Sequence, residues 1–113
     1  MKRTSKSIVG IVLCVVLGVV FSVAAALAAD AKAGEAVYNK ACKNCHGVDG
    51  KHNPNIAKAM KVDMKDLTSS DVQSMSADDI KKIITSGTGK MKGISSVKGS
   101  SIDDVAAYVK SLK

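Results

Sequence analysis

The stretch Ala41-Cys42-Lys43-Asn44-Cys45-His46-Gly47-Val48-Asp49-Gly50 places two thiols and an imidazole within five consecutive residues. Three chemistries use such a cluster: a redox-active disulfide, half of a metal site, or covalent attachment of a larger group. Each makes a different demand on the rest of the chain.

A thiol-disulfide motif needs a low-pKa first cysteine, usually at a helix N-terminus after a strand in an α/β fold. Here the residues before Cys42 read as a helix. Asp30 can cap it, and Ala33, Val37, Ala41 and Gly34, Tyr38, Cys42 make adjacent i, i+4 rows. Cys42 therefore falls at the end of a helix, on its buried side, and no strand-like alternation persists anywhere. A zinc site needs four ligands, commonly from two such pairs. After the motif only His52 remains as a histidine, and there is no further cysteine.

Covalent haem meets its requirements locally. Thiols spaced C-x-x-C add to the two vinyl groups of one haem edge, and His46, directly after Cys45, becomes the proximal iron ligand. Thiol redox chemistry and another metal remain the rival readings. The sixth iron position separates carrier from catalyst, and Met91 is the expected distal ligand. It is the one apolar residue inside Gly87-Thr88-Gly89-Lys90-Met91-Lys92-Gly93, an open glycine loop, and a soft thioether raises the reduction potential relative to bis-His ligation. Met60, Met64 and Met75 read as packing residues. His52 is a rival ligand, but it follows His46 closely and reads more simply as solvated.

Residues 1–28 differ from the rest. Lys2, Arg3 and Lys6 give a basic start, Ile8 to Ala29 carries no charge, and Ala26-Leu27-Ala28 is an A-x-A cleavage site. This is the pattern of a secretory signal, removed after Ala28. A retained anchor is the competing reading, because the uncharged run exceeds the roughly 20 residues that span a bilayer. Cys14 falls inside the signal, and Leu13 before it does not suit a lipoprotein site. Residues 29–113 then form one small domain in an oxidising, periplasmic compartment, and their two cysteines exclude a disulfide framework.

That domain is of a size at which an unaided apolar core is marginal. Tyr38 and Tyr108 are its only aromatic residues, so a large apolar cofactor would supply missing core. Its 14 lysines against 10 acidic residues leave a mild positive balance. Without arginine, a clustered basic stripe or interleaved aromatics, nucleic acid is a poor match.

Further helices are legible from caps and periodicity. Asn53-Pro54 starts a short helix through about Met60, and Thr68-Ser69-Ser70-Asp71 marks a brief turn. Ser76-Ala77-Asp78-Asp79 resembles a capping box, with Met75 packing on Ile80, a face of Ile80, Ile83 and Ile84, and Gly87 as terminator. The last helix is expected to start from Ser101, with Asp104 three residues on and Val105, Tyr108, Val109 and Leu112 as its apolar face.

Taken together, the C-K-N-C-H-G-V-D-G motif, the G-T-G-K-M-K-G methionine loop and the terminal helices resemble a class I cytochrome c, the small soluble monohaem type. The resemblance covers essentially all of residues 29–113. It implies an all-α bundle of short helices wrapped around one covalently attached haem, the first and last helices crossing near the haem edge. Gly34 and Tyr108 match the small and aromatic residues that meet at that crossing. The implied function is one-electron transfer by a monomer, not an enzyme, between redox protein partners that an acidic surface would suit. Lys43, Lys51, Lys90 and Lys92 would steer such a partner. A gas-binding or peroxidatic haem protein with a weak sixth ligand is the alternative. Two departures stand out: Lys92 follows Met91 where the family often has proline, and Pro54 is the only proline available to accept the proximal His Nδ1–H.

Overall fold

The computed structural model describes residues 29–113, so the expected signal over residues 1–28 lies outside the described residues. In chain order the elements are α1 (Ala31–Ala41), α2 (Lys43–His46), α3 (Pro54–Met60), α4 (Ser70–Gln73), α5 (Ala77–Ser86), β1 (Gly87–Thr88), β2 (Met91–Lys92) and α6 (Ser100–Ser111). The expected helical architecture is present, with one small hairpin added to it.

Local chemistry starts three of these six helices. The Asp30 carboxylate accepts from the backbone N–H of Lys32 and Ala33 at 3.0 and 3.1 Å. The Asn53 side chain accepts from Asn55 N–H at 3.0 Å, with Pro54 at the first helical position, where a missing N–H costs nothing. Ser76 Oγ accepts from Asp79 N–H at 3.1 Å, and Gly87 ends α5 with φ 80°.

The start of α6 departs from expectation. Ser101 does not cap it: the helix begins at Ser100 behind Gly99, whose φ is 59°, and no side chain caps the end. Asp104 is engaged elsewhere, accepting the Asp30 backbone N–H at 2.8 Å. A tertiary bond between the starts of the two terminal helices has displaced a local capping box.

That bond marks where α1 lies on α6, the most extensive helix pairing, with α5 also packed on α6. A Cβ added at Gly34 would sit 2.0 Å from the Asp104 carbonyl oxygen and 2.4 Å from its carbon. The backbones therefore meet without a side chain between them. Around the crossing, Tyr38 and Val105 are fully buried, and Ile80, Ile84, Val97, Ala106 and Val109 complete the core. Val37, Ala41, Cys42, Met75 and Tyr108 pack against its margin. The expected meeting of Gly34 with Tyr108 is thus divided: Gly34 meets backbone, and the Tyr108 ring lies 5.1 Å from that of Tyr38 at 56°.

The segment read as an open loop forms an antiparallel hairpin, Gly87 opposite Lys92 and Thr88 opposite Met91. Gly89, with φ 54°, occupies the first central position of the two-residue turn, a place that favours glycine. The hairpin base is seated on α5, because Ile94 N–H donates to Ile84 O at 2.8 Å and Gly93 approaches the Thr85 carbonyl too closely for any Cβ.

Gly34→Ala should gain about 1 kcal/mol of helix propensity and lose more to backbone overlap at the crossing, typically about 1–3 kcal/mol for overpacking and more where nothing can shift. The expected outcome is a lowered urea midpoint in the haem-loaded protein.

Candidate functional site

The C-x-x-C-H residues occupy a single helical turn at the end of α1. Cys42 N–H closes α1 on Tyr38 O at 2.9 Å, and Cys42 O then accepts from Cys45 and His46 N–H at 3.2 and 3.0 Å. Gly47 turns the chain back with φ 75°, close enough to Lys51 that a Cβ would lie 2.0 Å from the Lys51 carbonyl oxygen. Asn53 N–H returns to Cys45 O at 2.8 Å. Two thiols and one imidazole are thereby fixed on one short, doubly braced segment.

Tyr38, eight residues earlier, braces this turn from below. Its hydroxyl donates to Gly47 O at 2.7 Å and lies 3.2 Å from His46 O. Burial, above all, holds the phenol well above its ordinary pKa, so it remains a donor at any physiological pH. Sequence reasoning placed Tyr38 on the buried face of α1 and missed the hydroxyl's role. The available signal was a tyrosine in a chain nearly without aromatics, since a buried tyrosine must find a partner for its O–H.

The electrostatics of the turn favour neutral groups. Burial, with a smaller contribution from Cys45, pushes the Cys42 thiol up to about 11. Such a thiol is protonated at neutral pH, the opposite of the activated cysteine that thiol redox chemistry requires. Burial, and then the neighbouring His52, lowers the His46 pKa, which keeps the ring neutral as metal ligation demands. His46 Nδ1 is buried without a hydrogen-bond partner, so the Pro54 carbonyl does not hold it and Pro54 serves as a helix starter. Ring placement rests on burial and on the braced backbone.

His52 is not the free, solvated residue expected. Its backbone N–H donates to Asp66 Oδ1 at 2.9 Å, and its Nδ1 lies 2.6 Å from the same oxygen. Met91 lies half-buried on β2, on a separate part of the chain from the Cys42–His46 turn. Ile56, Met64 and Ile83 are likewise half-buried and, with Met91, stand outside the apolar core cluster. Among the described residues no group of three or more His, Cys, Asp or Glu side chains could hold an ion unaided.

Free Cys42 and Cys45, a neutral half-buried imidazole whose Nδ1 is buried without a partner, and apolar side chains left outside the core fit a large apolar group joined to the turn. Comparison with known proteins agrees. Residues 29–109 match the family described as cytochrome C oxidase, cbb3-type, subunit III. The chain is also 38% identical over 111 residues to cytochrome c6 of Synechocystis sp., covering 95% of this chain and 88% of that protein. The chain belongs to the small class I c-type cytochromes, monohaem electron carriers with covalently attached haem c.

Two outcomes test this account of the turn. Tyr38→Phe keeps the packing but removes a part-buried hydrogen bond, which should cost about 0.5–1.5 kcal/mol in denaturant unfolding. The Asp66 carboxylate is held below the usual carboxylate range, first by the His52 backbone N–H and then by its ring. Its stabilising contribution is therefore complete above about pH 4, the ordinary carboxylate value, and fades as pH falls through the lowered folded value. The stability difference between wild type and Asp66→Asn should shrink over that acidic window in urea titrations at stepped pH.

Proposed function

We propose that residues 1–28 are an export signal removed after Ala28, and that residues 29–113 work in the periplasm as a monomeric one-electron carrier. Cys42 and Cys45 form the thioethers, His46 is the proximal iron ligand and Met91 the distal one. The haem supplies a reversible one-electron couple between Fe(III) and Fe(II) when bound. The protein's own residues hold, orient and shield it.

The observation that carries the reading is the braced turn. Cys42 and Cys45 are set on one turn with His46, whose neutral ring is half-buried and whose backbone is gripped by Tyr38. A rigid mount suits electron transfer, because ligands that do not move between oxidation states add little reorganisation to each step. Met91 supports the carrier over the gas-binding alternative for a related reason. Its hairpin is anchored to α5 at both Gly93 and Ile94, so the thioether is offered on a seated segment instead of a loose one. With both axial positions filled, no open coordination site remains for a substrate, and the protein is not an enzyme.

Lys43, Lys51 and Lys92 are exposed beside the turn and the hairpin. They give the docking face a positive field that suits an acidic redox partner. Lys90, expected in the same set, differs in having its ammonium bonded to a carbonyl of α3.

The deciding experiment is spectroscopic. Oxidised protein, matured with haem-attachment machinery, should show a methionine–iron charge-transfer band at the red end of the spectrum, and Met91→Ala should lose it. Ready carbon monoxide binding by the wild-type ferrous protein at neutral pH would favour the gas-binding alternative. Partner association rates should fall with added salt as screening shortens the reach of the lysine field to about 10 Å at 0.1 M. N-terminal sequencing of the exported product should begin at Ala29; Met1 on a membrane-bound product overturns the cleavage.

A further inference from the structure

Lys90 stands at the tip of the β1–β2 hairpin, next to Met91. Its Nζ donates at 2.7 Å to the carbonyl of Met60, the last residue of α3, across 30 positions of sequence. This joins the free end of the methionine hairpin to the helix that follows the Cys42–His46 turn.

The acceptor is suited to the donor. The last carbonyls of a helix lack intrahelical partners and carry the negative end of the helix dipole, so an ammonium there gains both a hydrogen bond and a favourable charge interaction. Lys61, immediately after Met60, takes a left-handed conformation with φ 53° and turns the chain away from the helix end. Meanwhile the hairpin is otherwise held only at its base among the contacts described above. Its strands are two residues each, and Gly89 makes the turn intrinsically flexible. Lys92 follows Met91, so no proline ring stiffens the segment on the far side.

From this juxtaposition we infer that Lys90 is a positioning residue for Met91: its ammonium ties the hairpin tip to the end of α3 and so keeps the thioether seated. The inference rests on the reading of Met91 as the distal ligand and adds to it the device that replaces proline. It also fixes where the Lys90 charge sits, since the ammonium keeps its charge when it is bonded to a neutral carbonyl.

The test compares carbon monoxide binding to ferrous, haem-loaded wild type, Lys90→Met, Lys90→Arg and Lys82→Met. Carbon monoxide can bind only when the distal thioether leaves, so its association rate reads how firmly Met91 is held. Lys90→Met keeps side-chain length and loses the donor; Lys90→Arg keeps a cationic donor. Lys82→Met removes an equal charge from an exposed position on α5. The expected result is a rate increase of roughly threefold to tenfold in Lys90→Met, the range for one charge-assisted hydrogen bond at a helix end. Lys90→Arg should stay near wild type, as should Lys82→Met. A Lys90→Met protein with the wild-type rate and an intact charge-transfer band would overturn the tether while leaving Met91 ligation standing. An equal rise in Lys82→Met would also overturn it, by assigning the effect to net charge. Absence of the band from wild type removes Met91 as ligand and the tether with it.

Discussion

The close approach of α1 to α6 at Gly34 is the constraint from which the rest of the structure follows. With no side chain at that position, the α1 backbone lies against the carbonyl of Asp104, and Asp30 N–H reaches the Asp104 carboxylate. One helical turn further along α1, Tyr38 is carried into complete burial beside Val105 and Tyr108. Its hydroxyl then emerges under the carbonyls of His46 and Gly47. A chain of three contacts thus runs from a helix crossing to the Cys42–His46 turn. A change that opened the crossing would move that turn as well as weaken the core.

The core itself explains why such economy is needed. Seven residues make the buried cluster, and Tyr38 is the only large ring among them. A domain this small buries a modest share of its surface, and the half-buried Ile56, Met64, Ile83 and Met91 lie outside the cluster. A covalently attached haem would offer such side chains an apolar partner. The cofactor belongs to the folding problem as well as to the chemistry, a coupling familiar from small domains organised by a bound group.

The features legible from sequence were those in which a few neighbouring residues settle the outcome. Asp30, Asn53-Pro54 and Ser76 each cap the helix they were expected to cap, because an N-cap is a bond between residues two or three apart. The spelling of Cys42, Cys45 and His46 pointed to haem for the same reason. What escaped the sequence was long-range choice among equivalent partners. Asp104 could have completed a capping box around Ser101, yet it bonds Asp30, 74 positions away. His52 could have been solvated, yet Asp66 takes both its amide and its ring. The glycine loop pairs as a hairpin because Gly89 permits the turn and Gly93 permits the seat on α5, and the close approach of Gly93 to Thr85 has no local signature.

The two proposed axial ligands are held by different physics, and the difference bears on how such a carrier works. His46 sits on a turn held by bonds between neutral groups, those of its backbone and that of a phenol that no solvent reaches. Met91 sits on a short hairpin, seated at its base and tied at its tip by an exposed lysine. Bonds between neutral groups are little affected by salt, whereas an exposed charged contact weakens as ionic strength rises. On the proposed ligation, the proximal side would keep one geometry as salt is raised, and a change in coordination would begin at the distal side. A carrier built this way would gain a fixed covalent mount from local motif residues, and its proposed sixth ligand would depend on a contact that only the folded chain can make.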